Sequence, residues 1–347
     1  MKALLLAGGM GTRLRPLTEG LPKPMALVGN RPWLEHVLLH LKQEGIRDFV
    51  MAVHHSQDVI RHYFGDGSRW GVSIQYAVEQ TRLGTAGAIK NAEPLLGDRF
   101  LVLNADIILR SPIVPLLDYH EQSGALVTIG LTEVDHPSHY GVVEQDERGR
   151  IIRFVEKPSL HEAPSRRINA GLYVMEKKAL ASIPAQQEVS IERETFPQLI
   201  ESHGGVFGFL LGGYWLDMGT TDRYRKLHRD LLDRKIALTL KEKERGQGIW
   251  VGEHTDVGSG VLFVPPVLIG DRVRIGDRSV IGPYTVIGDD CEIGAQVRCS
   301  ESILWDRCKV HREAQLNHCI FGSGLELGAG HLLHEAVMNV LPGGVAQ

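Results

Sequence analysis

The chain has 347 residues, 43% hydrophobic and 23% charged, which suffices to bury a substantial core and suggests two domains. A formal net charge of -4 without a long Lys/Arg run excludes the electrostatic footprint of a nucleic-acid or anionic-membrane partner, so small molecules are the expected ligands. The apolar stretch Ala3–Ala7 is too short for a signal peptide or a bilayer span, and the expected location is cytoplasmic.

Lys2–Ala7 reads as a short β-strand that runs into Gly8-Gly9-Met10-Gly11-Thr12-Arg13. Two familiar phosphate loops fail here. A dinucleotide fingerprint needs a third glycine where Leu14 stands, and a Walker A loop needs Gly-Lys-Ser/Thr, which is absent. What remains is a strand end whose glycines let backbone amides approach an anion, framed by Arg13 and Lys23. Pro16, Pro22 and Pro24 stiffen the segment and hold Lys23 at a set distance. A polyphosphate fits this loop; a structural turn with incidental charges is the competing reading.

Pro32–Glu44 reads as a helix with Leu34, Val37, Leu38 and Leu41 on one face, Pro32 in its first turn and Gly45 at its C-cap. A strand at Phe49–Val53, a helix ending at Phe64, a Gly-Asp-Gly turn at 65–67, a strand at Val72–Val78, a helix near Ala86–Leu96 and a strand at Phe100–Leu103 follow. Such repeated strand-helix-strand units imply a largely parallel, Rossmann-like sheet with ligands beyond the C-terminal strand ends. Past residue 125 the strand signals crowd together (Ala125–Val134, Gly141–Val143, Ile151–Val155, Ile168–Met175), which predicts antiparallel additions to a mixed sheet.

Two apolar runs deliver a carboxylate at their ends, Leu101-Val102-Leu103-Asn104-Ala105-Asp106 and Trp215-Leu216-Asp217. Mg²⁺ takes one or two carboxylates together with phosphate oxygens, so Asp106 and Asp217 suffice for a metal, while a cap or turn role is the alternative for each. Phe154-Val155-Glu156-Lys157-Pro158 sets a carboxylate beside an ammonium just past a strand. If Pro158 ends the strand both can reach a cleft, Glu156 to accept from sugar hydroxyls and Lys157 to hold a monophosphate; a surface ion pair is the bland alternative. Asn169 adds an amide for hydroxyl recognition.

The charged stretch 241–248 marks a boundary, and three parts are expected: a catalytic domain 1–236, a linker 237–248 and a repeat domain 249–347. In the last part an aliphatic residue followed by glycine recurs in steps of six or a multiple of six, at Val251, Val257, Ile269, Ile275, Ile281, Ile287 and Ile293, with Phe263-Val264 breaking the glycine rule. The residues two places earlier (Val267, Val273, Ser279, Thr285, Cys291, Val297) are small or β-branched, as the narrow interior of a parallel β-helix requires. After residue 297 the repeat decays, although Ile320-Phe321-Gly322 and Leu327-Gly328 hint at further degenerate coils. Cys291, Cys299, Cys308 and Cys319 form no metal-ligand pattern and read as buried free thiols. A scaffold for a homo-oligomer is the main reading of this half. Acyl transfer through His311, His318, His331 or His334, and regulation of the first half, are the alternatives.

The ordered set LAGGMGTRLRPLT, PKP, LGTAGAI, LNAD, FVEKP, INAGLYV and WLDMG resembles the nucleotide-sugar pyrophosphorylases, the sugar-1-phosphate nucleotidyltransferases. Through LGTAGAI, HYGVV, RFVEKP and SIERETFP it is most similar to their mannose-1-phosphate guanylyltransferase branch. The resemblance implies a Rossmann-like α/β catalytic domain followed by a left-handed parallel β-helix of hexapeptide repeats. It also implies the Mg²⁺-dependent conversion of NTP and sugar-1-phosphate into NDP-sugar and pyrophosphate. By the same resemblance Arg13 and Lys23 neutralise the triphosphate, Asp106 and Asp217 hold Mg²⁺, and Lys157 places the sugar phosphate. Gly141, Glu156, Asn169 and Gly171 form the sugar pocket; Gly8, Gly9, Gly11 and Thr12 approach the nucleotide, and Gly84 passes close to the base. Uridylyl and thymidylyl relatives tend to carry glutamine where Glu79 aligns, and a carboxylate, which only accepts, suits the donors of guanine, so GTP is the expected nucleotide. A glucose-1-phosphate enzyme and a non-catalytic nucleotide-sugar sensor remain as alternatives.

Overall fold

The computed structural model describes residues 1–9, 14–54, 58–202 and 205–340, so Gly11, Thr12 and Arg13 lie outside the described residues. The chain divides into two compact units, Met1–Gly9 with Val37–Asp217, and Met10–His36 with Met218–Gln347. No helix among the described residues is long and apolar enough to cross a membrane.

In the first unit the alternation expected from the sequence is present: β1 (Lys2–Leu6), α1 (Trp33–Gln43, begun in the other unit), β2 (Asp48–His54), α2 (Asp58–Phe64), β3 (Ser73–Glu79), α3 (Gly84–Ala92) and β4 (Arg99–Asn104). Pro32 does not open α1, because it pairs with Leu27 in a hairpin of two-residue strands. Then come β5 (Ile107–Arg110), α4 (Val114–Ser123), β6 (Val127–Glu133), β7 (Gly141–Gln145), β8 (Ile151–Glu156), β9 (Arg167–Glu176), α5 (Phe196–Glu201), β10 (Val206–Leu210) and β11 (Tyr214–Asp217). The nine-stranded sheet runs β8-β7-β9-β4-β1-β2-β3, with β6 branching from β9 and β10 pairing with β6. Strands β4-β1-β2-β3 are mutually parallel, and β9 joins them antiparallel to β4, which is the mixed sheet expected. Leu4, Val50, Ala52, Phe100 and Val102 are buried against the alanine-rich face of α3 (Ala86, Ala88, Ala92), whose small side chains let the helix lie close to the sheet. Each large aliphatic or aromatic side chain so buried contributes about 1.5–3 kcal/mol.

The second unit contains a parallel β-helix of three sheets whose strands are two or three residues long. Register partners stand 18 residues apart through Ile281↔Cys299 and 17 apart from Val286↔Ile303 onward. The coils hinted at by Ile320-Phe321-Gly322 and Leu327-Gly328 are therefore present. One corner, Cys299 to Leu304, is a residue shorter than its counterpart Ile281 to Ile287, and the six-residue phase slips while the coils continue. The glycines of the motif have a steric cause: a Cβ on Gly276 would come within 2.5 Å of the Ala295 amide in the next coil. All four cysteines are buried free thiols, as expected. Burial pushes the Cys299 thiol up to about 12.

The first sheet of the β-helix is apolar on its outside too, where Trp250, Leu268, Val286, Ile303 and Ile320 are buried. Residues 14–36 and the helix α6 (Thr221–Leu232) belong to this unit, with Gly29 packed against Leu231, Leu240 and Leu268. Within the charged stretch, Lys243–Gly246 forms a strand antiparallel to Ile249–Val251.

Candidate functional site

Strand order reverses around β1, which has β2 on one side and β4 on the other. Ligands of open α/β sheets bind beyond the carboxyl ends of strands at such a point. Leu6 and Asn104 are register partners, so the chain segments carrying Gly8 and Asp106 leave the sheet side by side. A Cβ on Gly9 would meet no atom within 4 Å, whereas one on Gly8 would lie 3.2 Å from Glu79 Oε1. The first glycine of the loop thus sits against the carboxylate at the end of β3. Leu83 N donates to Glu79 Oε2 at 3.3 Å, and burial pushes the Glu79 carboxyl above its usual range despite that bond.

The two aspartates are brought together by a pairing absent from any sequence period. Strands β5 and β11 form an antiparallel ribbon in which Asp217 faces Ile107, the residue next to Asp106. Nearby, Asn104 Oδ1 is buried without a hydrogen-bond partner among the described residues. Groups of three or more His, Cys, Asp or Glu able to hold a metal do not occur among the described residues. Two aspartates one position apart across this pairing, with an orphaned amide oxygen nearby, are a poor cage for a cation on their own. They are a suitable donor set for an ion that keeps waters and takes its other oxygens from a phosphate ligand, which is the habit of Mg²⁺.

On the other side of β4, β9 carries a bulge between Asn169 and Tyr173, where its pairing with β6 shifts register. Gly171 occupies the bulge at φ +73, and a Cβ there would lie 2.1 Å from Ile107 Cδ1 and 3.0 Å from Asn104 Nδ2. Gly171 N donates to Asn169 Oδ1 at 2.8 Å, and Asn169 Nδ2 donates to the buried Tyr173 hydroxyl at 2.9 Å. Trp215 Nε1 donates to Ala170 O at 3.1 Å, tying β11 to the bulge. Gly141 faces Glu156 across the β7–β8 pair, and a Cβ on it would come within 2.4 Å of the Phe154 ring. Strand β8 stops at Glu156; Lys157 adopts φ 49, and its Nζ lies 3.3 Å from Glu156 Oε1. The turn before Pro158 therefore brings both side chains to one place.

Glu192 received no role from the sequence. It lies in a π-turn, Ile191–Thr195, where Thr85 Oγ1 donates to its Oε2 at 2.9 Å and Ser190 Oγ does so at 3.0 Å. Burial pushes its carboxyl up, the two hydroxyls pull it down, and the Glu156 charge pushes it up again. Glu192 and Glu156 also both raise Tyr173, after burial, so the three groups share one environment. The available signal was its place in SIERETFP, a stretch matched for likeness alone. Gly84, at φ +67, has its missing Cβ 2.5 Å from Val189 O, and that carbonyl accepts from Ala86 N at 2.9 Å. Helix α3 starts at Gly84, two residues before the start expected near Ala86.

Lys23 belongs to the second unit, in a 3-10 turn, Lys23–Met25, that follows Pro22 and includes Pro24; it is 5% exposed. The other candidates described above lie in the first unit.

Comparison with known proteins adds an independent line. The family described as nucleotidyl transferase matches residues 2–234, and the one described as GMPPB C-terminal domain matches residues 263–341. A mannose-1-phosphate guanylyltransferase of Mycobacterium tuberculosis is 36% identical over 270 residues, covering 77% of this chain and 74% of that one. Mannose-1-phosphate guanylyltransferase 1 of Arabidopsis thaliana is 37% identical over 279 residues, covering 78% and 76%. The crystal structure of HddC from Yersinia pseudotuberculosis complexed with GMP-PN superposes with a TM-score of 0.58 at 26% identity, covering 66% of this chain and 99% of that one.

Proposed function

The chain belongs to the nucleotidyl transferase family, and on that premise we propose that it joins a nucleoside triphosphate to a sugar 1-phosphate, with GTP and mannose 1-phosphate as the pair. The observation that carries this reading is the Ile107–Asp217 pairing, which puts Asp217 opposite the residue next to Asp106. An oxygen of the sugar phosphate attacks the α-phosphorus, the bond from that phosphorus to the oxygen bridging to the β-phosphate breaks, and pyrophosphate leaves with the electron pair. The nucleophile is already an anion at neutral pH, so catalysis is mainly positioning and charge neutralisation.

Asp106 and Asp217 would hold Mg²⁺, which when bound supplies positive charge to the phosphate oxygens. Lys23, with Arg13, neutralises the triphosphate and the departing pyrophosphate, and the backbone at Gly8, Gly9, Gly11 and Thr12 approaches the nucleotide. Lys157 orients the sugar phosphate, its ammonium kept in place by Glu156 at 3.3 Å. Glu156 and Glu192 accept from sugar hydroxyls, Asn169 contributes its amide, and Gly141 and Gly171 leave the room that neighbouring side chains occupy. Glu79 accepts from the base, and Gly84 shapes the base side of the site through Val189.

The reading is supported by relatives that carry the mannose-1-phosphate guanylyltransferase name and by Glu79, a carboxylate and so an acceptor only, at the end of β3 beside Gly8. Pyrophosphate release measured with GTP, UTP, dTTP, ATP and CTP against mannose 1-phosphate and glucose 1-phosphate tests it. Turnover is expected with GTP and mannose 1-phosphate. Turnover only with UTP or dTTP removes the guanine assignment, and nucleotide-sugar binding without turnover by any pair makes the chain a sensor.

A further inference from the structure

Inside the second unit, residues 14–36 are held at three places along their length. Near the end, Asn30 Nδ2 donates to Glu242 Oε1 at 3.0 Å and to Ile287 O at 3.1 Å. In the middle, the Tyr224 hydroxyl donates to Leu27 O and accepts from Trp305 Nε1, the latter at 2.8 Å. At the start, Asn339 in the final coil of the β-helix donates from Nδ2 to Pro16 O at 3.0 Å and lies 3.5 Å from Leu17 O. Lys23 lies between the first two of these chain positions, Pro16 and Leu27.

The Asn339 contact is built from both sides. Its side chain is 8% exposed, its Oδ1 accepts from Val340 N at 3.0 Å, and a Cβ on Gly322 in the preceding coil would come within 2.0 Å of that oxygen. Pro16 O also accepts from Glu19 N at 3.1 Å, so the carbonyl has two donors. Leu14 and Leu17 are already 1% exposed, and apolar burial, which is non-directional, would anchor this turn without help. What the buried amide adds is direction: it fixes where one carbonyl points at the start of a short segment stiffened by Pro22 and Pro24.

We propose that the final coil of the β-helix sets the course of the segment presenting Lys23, with Asn339 as the positioning residue for the nucleoside triphosphate. It rests on the proposed reaction and gives the β-helix a part in nucleotide use beyond that of a scaffold. Losing one such hydrogen bond corresponds to a change of about three- to tenfold in an equilibrium or apparent affinity.

The test is steady-state pyrophosphate release by the full chain, varying GTP and mannose 1-phosphate separately, for Asn339→Ala, Gly322→Ala and Asn317→Ala. Asn317 donates to Ser300 Oγ at 2.9 Å inside the β-helix and serves as a control for a lost coil hydrogen bond. Asn339→Ala and Gly322→Ala are expected to raise KM for GTP by roughly three- to tenfold with KM for mannose 1-phosphate unchanged, and Asn317→Ala to move neither. The proposal is overturned if Asn339→Ala leaves KM for GTP unchanged, raises both KM values alike, or is matched by Asn317→Ala. Should Asn339→Ala not fold, Asn339→Asp, which keeps the shape and the acceptor but loses the donor, decides by the same criteria. If the wild type releases no pyrophosphate with any pair, the reaction itself is wrong. Equilibrium binding of GTP to wild type and Asn339→Ala then tests the positioning, with equal affinity overturning it.

Discussion

Strands β1 to β4 of the first unit are five to seven residues long and end in four different loops, whereas the strands of the β-helix are two or three residues long and end in corners that repeat. The fate of acidic side chains differs accordingly. In the β-helix, Asp271 Oδ1 accepts from Glu253 N at 2.8 Å, Asp289 Oδ1 from Asp271 N at 2.9 Å, and Asp306 Oδ1 from Asp289 N at 3.0 Å. Each carboxylate is occupied in stacking one coil on the next. In the sheet unit, Glu79 and Asp217 are the last residues of their strands and Asp106 lies just past the end of β4, where dissimilar loops meet. Repetition stabilises by making every coil's contacts alike; chemistry needs unlike groups in one place, and strand ends with different sequels provide it.

The largest expected effect breaks the chemistry and spares the fold. Asp217→Asn should lower kcat by about 10²–10³, most severely at low Mg²⁺, with an unchanged thermal midpoint, since it removes charge from the β5–β11 ribbon and leaves the backbone pairing intact. The reverse dissociation belongs to the β-helix. Gly276→Ala places a methyl 2.5 Å from Ala295 N and 2.7 Å from Gly294 C, both backbone atoms that cannot swing away. A loss of about 1–3 kcal/mol in denaturant unfolding, with KM for mannose 1-phosphate unaltered, is expected.

Glu79 sharpens the comparison through pH. Because burial raises its carboxyl, the folded protein holds a proton that the unfolded chain has already released, so stability conferred by the neutral form falls as pH rises through that interval. Base recognition needs the charged acceptor, so KM for GTP should rise as pH falls through the raised value. Glu79→Gln should remove that dependence, raise KM for GTP by about tenfold, and leave stability at neutral pH equal or slightly higher. Smallest of all is the cysteine response. With Cys291, Cys299, Cys308 and Cys319 buried, no thiol should react with a thiol-specific reagent in the native state, and all four should react once the chain is unfolded in denaturant. Labelling of a native cysteine would show that the coils open locally.

Much of the fold was legible because its signals are local. The interior column Val267, Val273, Ser279, Thr285 reflects neighbours at a constant chain separation, so a simple period reports it, and the α/β alternation from Lys2 to Leu103 is of the same kind. The weakening of the repeat after residue 297 came from one corner shortened by a residue, which shifts the phase while the strand pairing continues. At the site, Glu156 and Lys157 could be placed together from Pro158 alone. Glu192, although within SIERETFP, could not be given a role, because its neighbours Thr85 and Glu156 are distant in the chain.

By itself the sequence determined the mixed sheet, the β-helix and the kinds of side chain available for phosphate, metal and sugar. Only the tertiary structure decided which of them meet. Asp106 stands beside Asp217 because Ile107 pairs with Asp217 across more than a hundred residues, and residues 14–36 join the β-helix unit because its first sheet is apolar on the outside as well as the inside. Both are long-range pairings, and a one-dimensional pattern records which faces are apolar or extended but not what each face lies against.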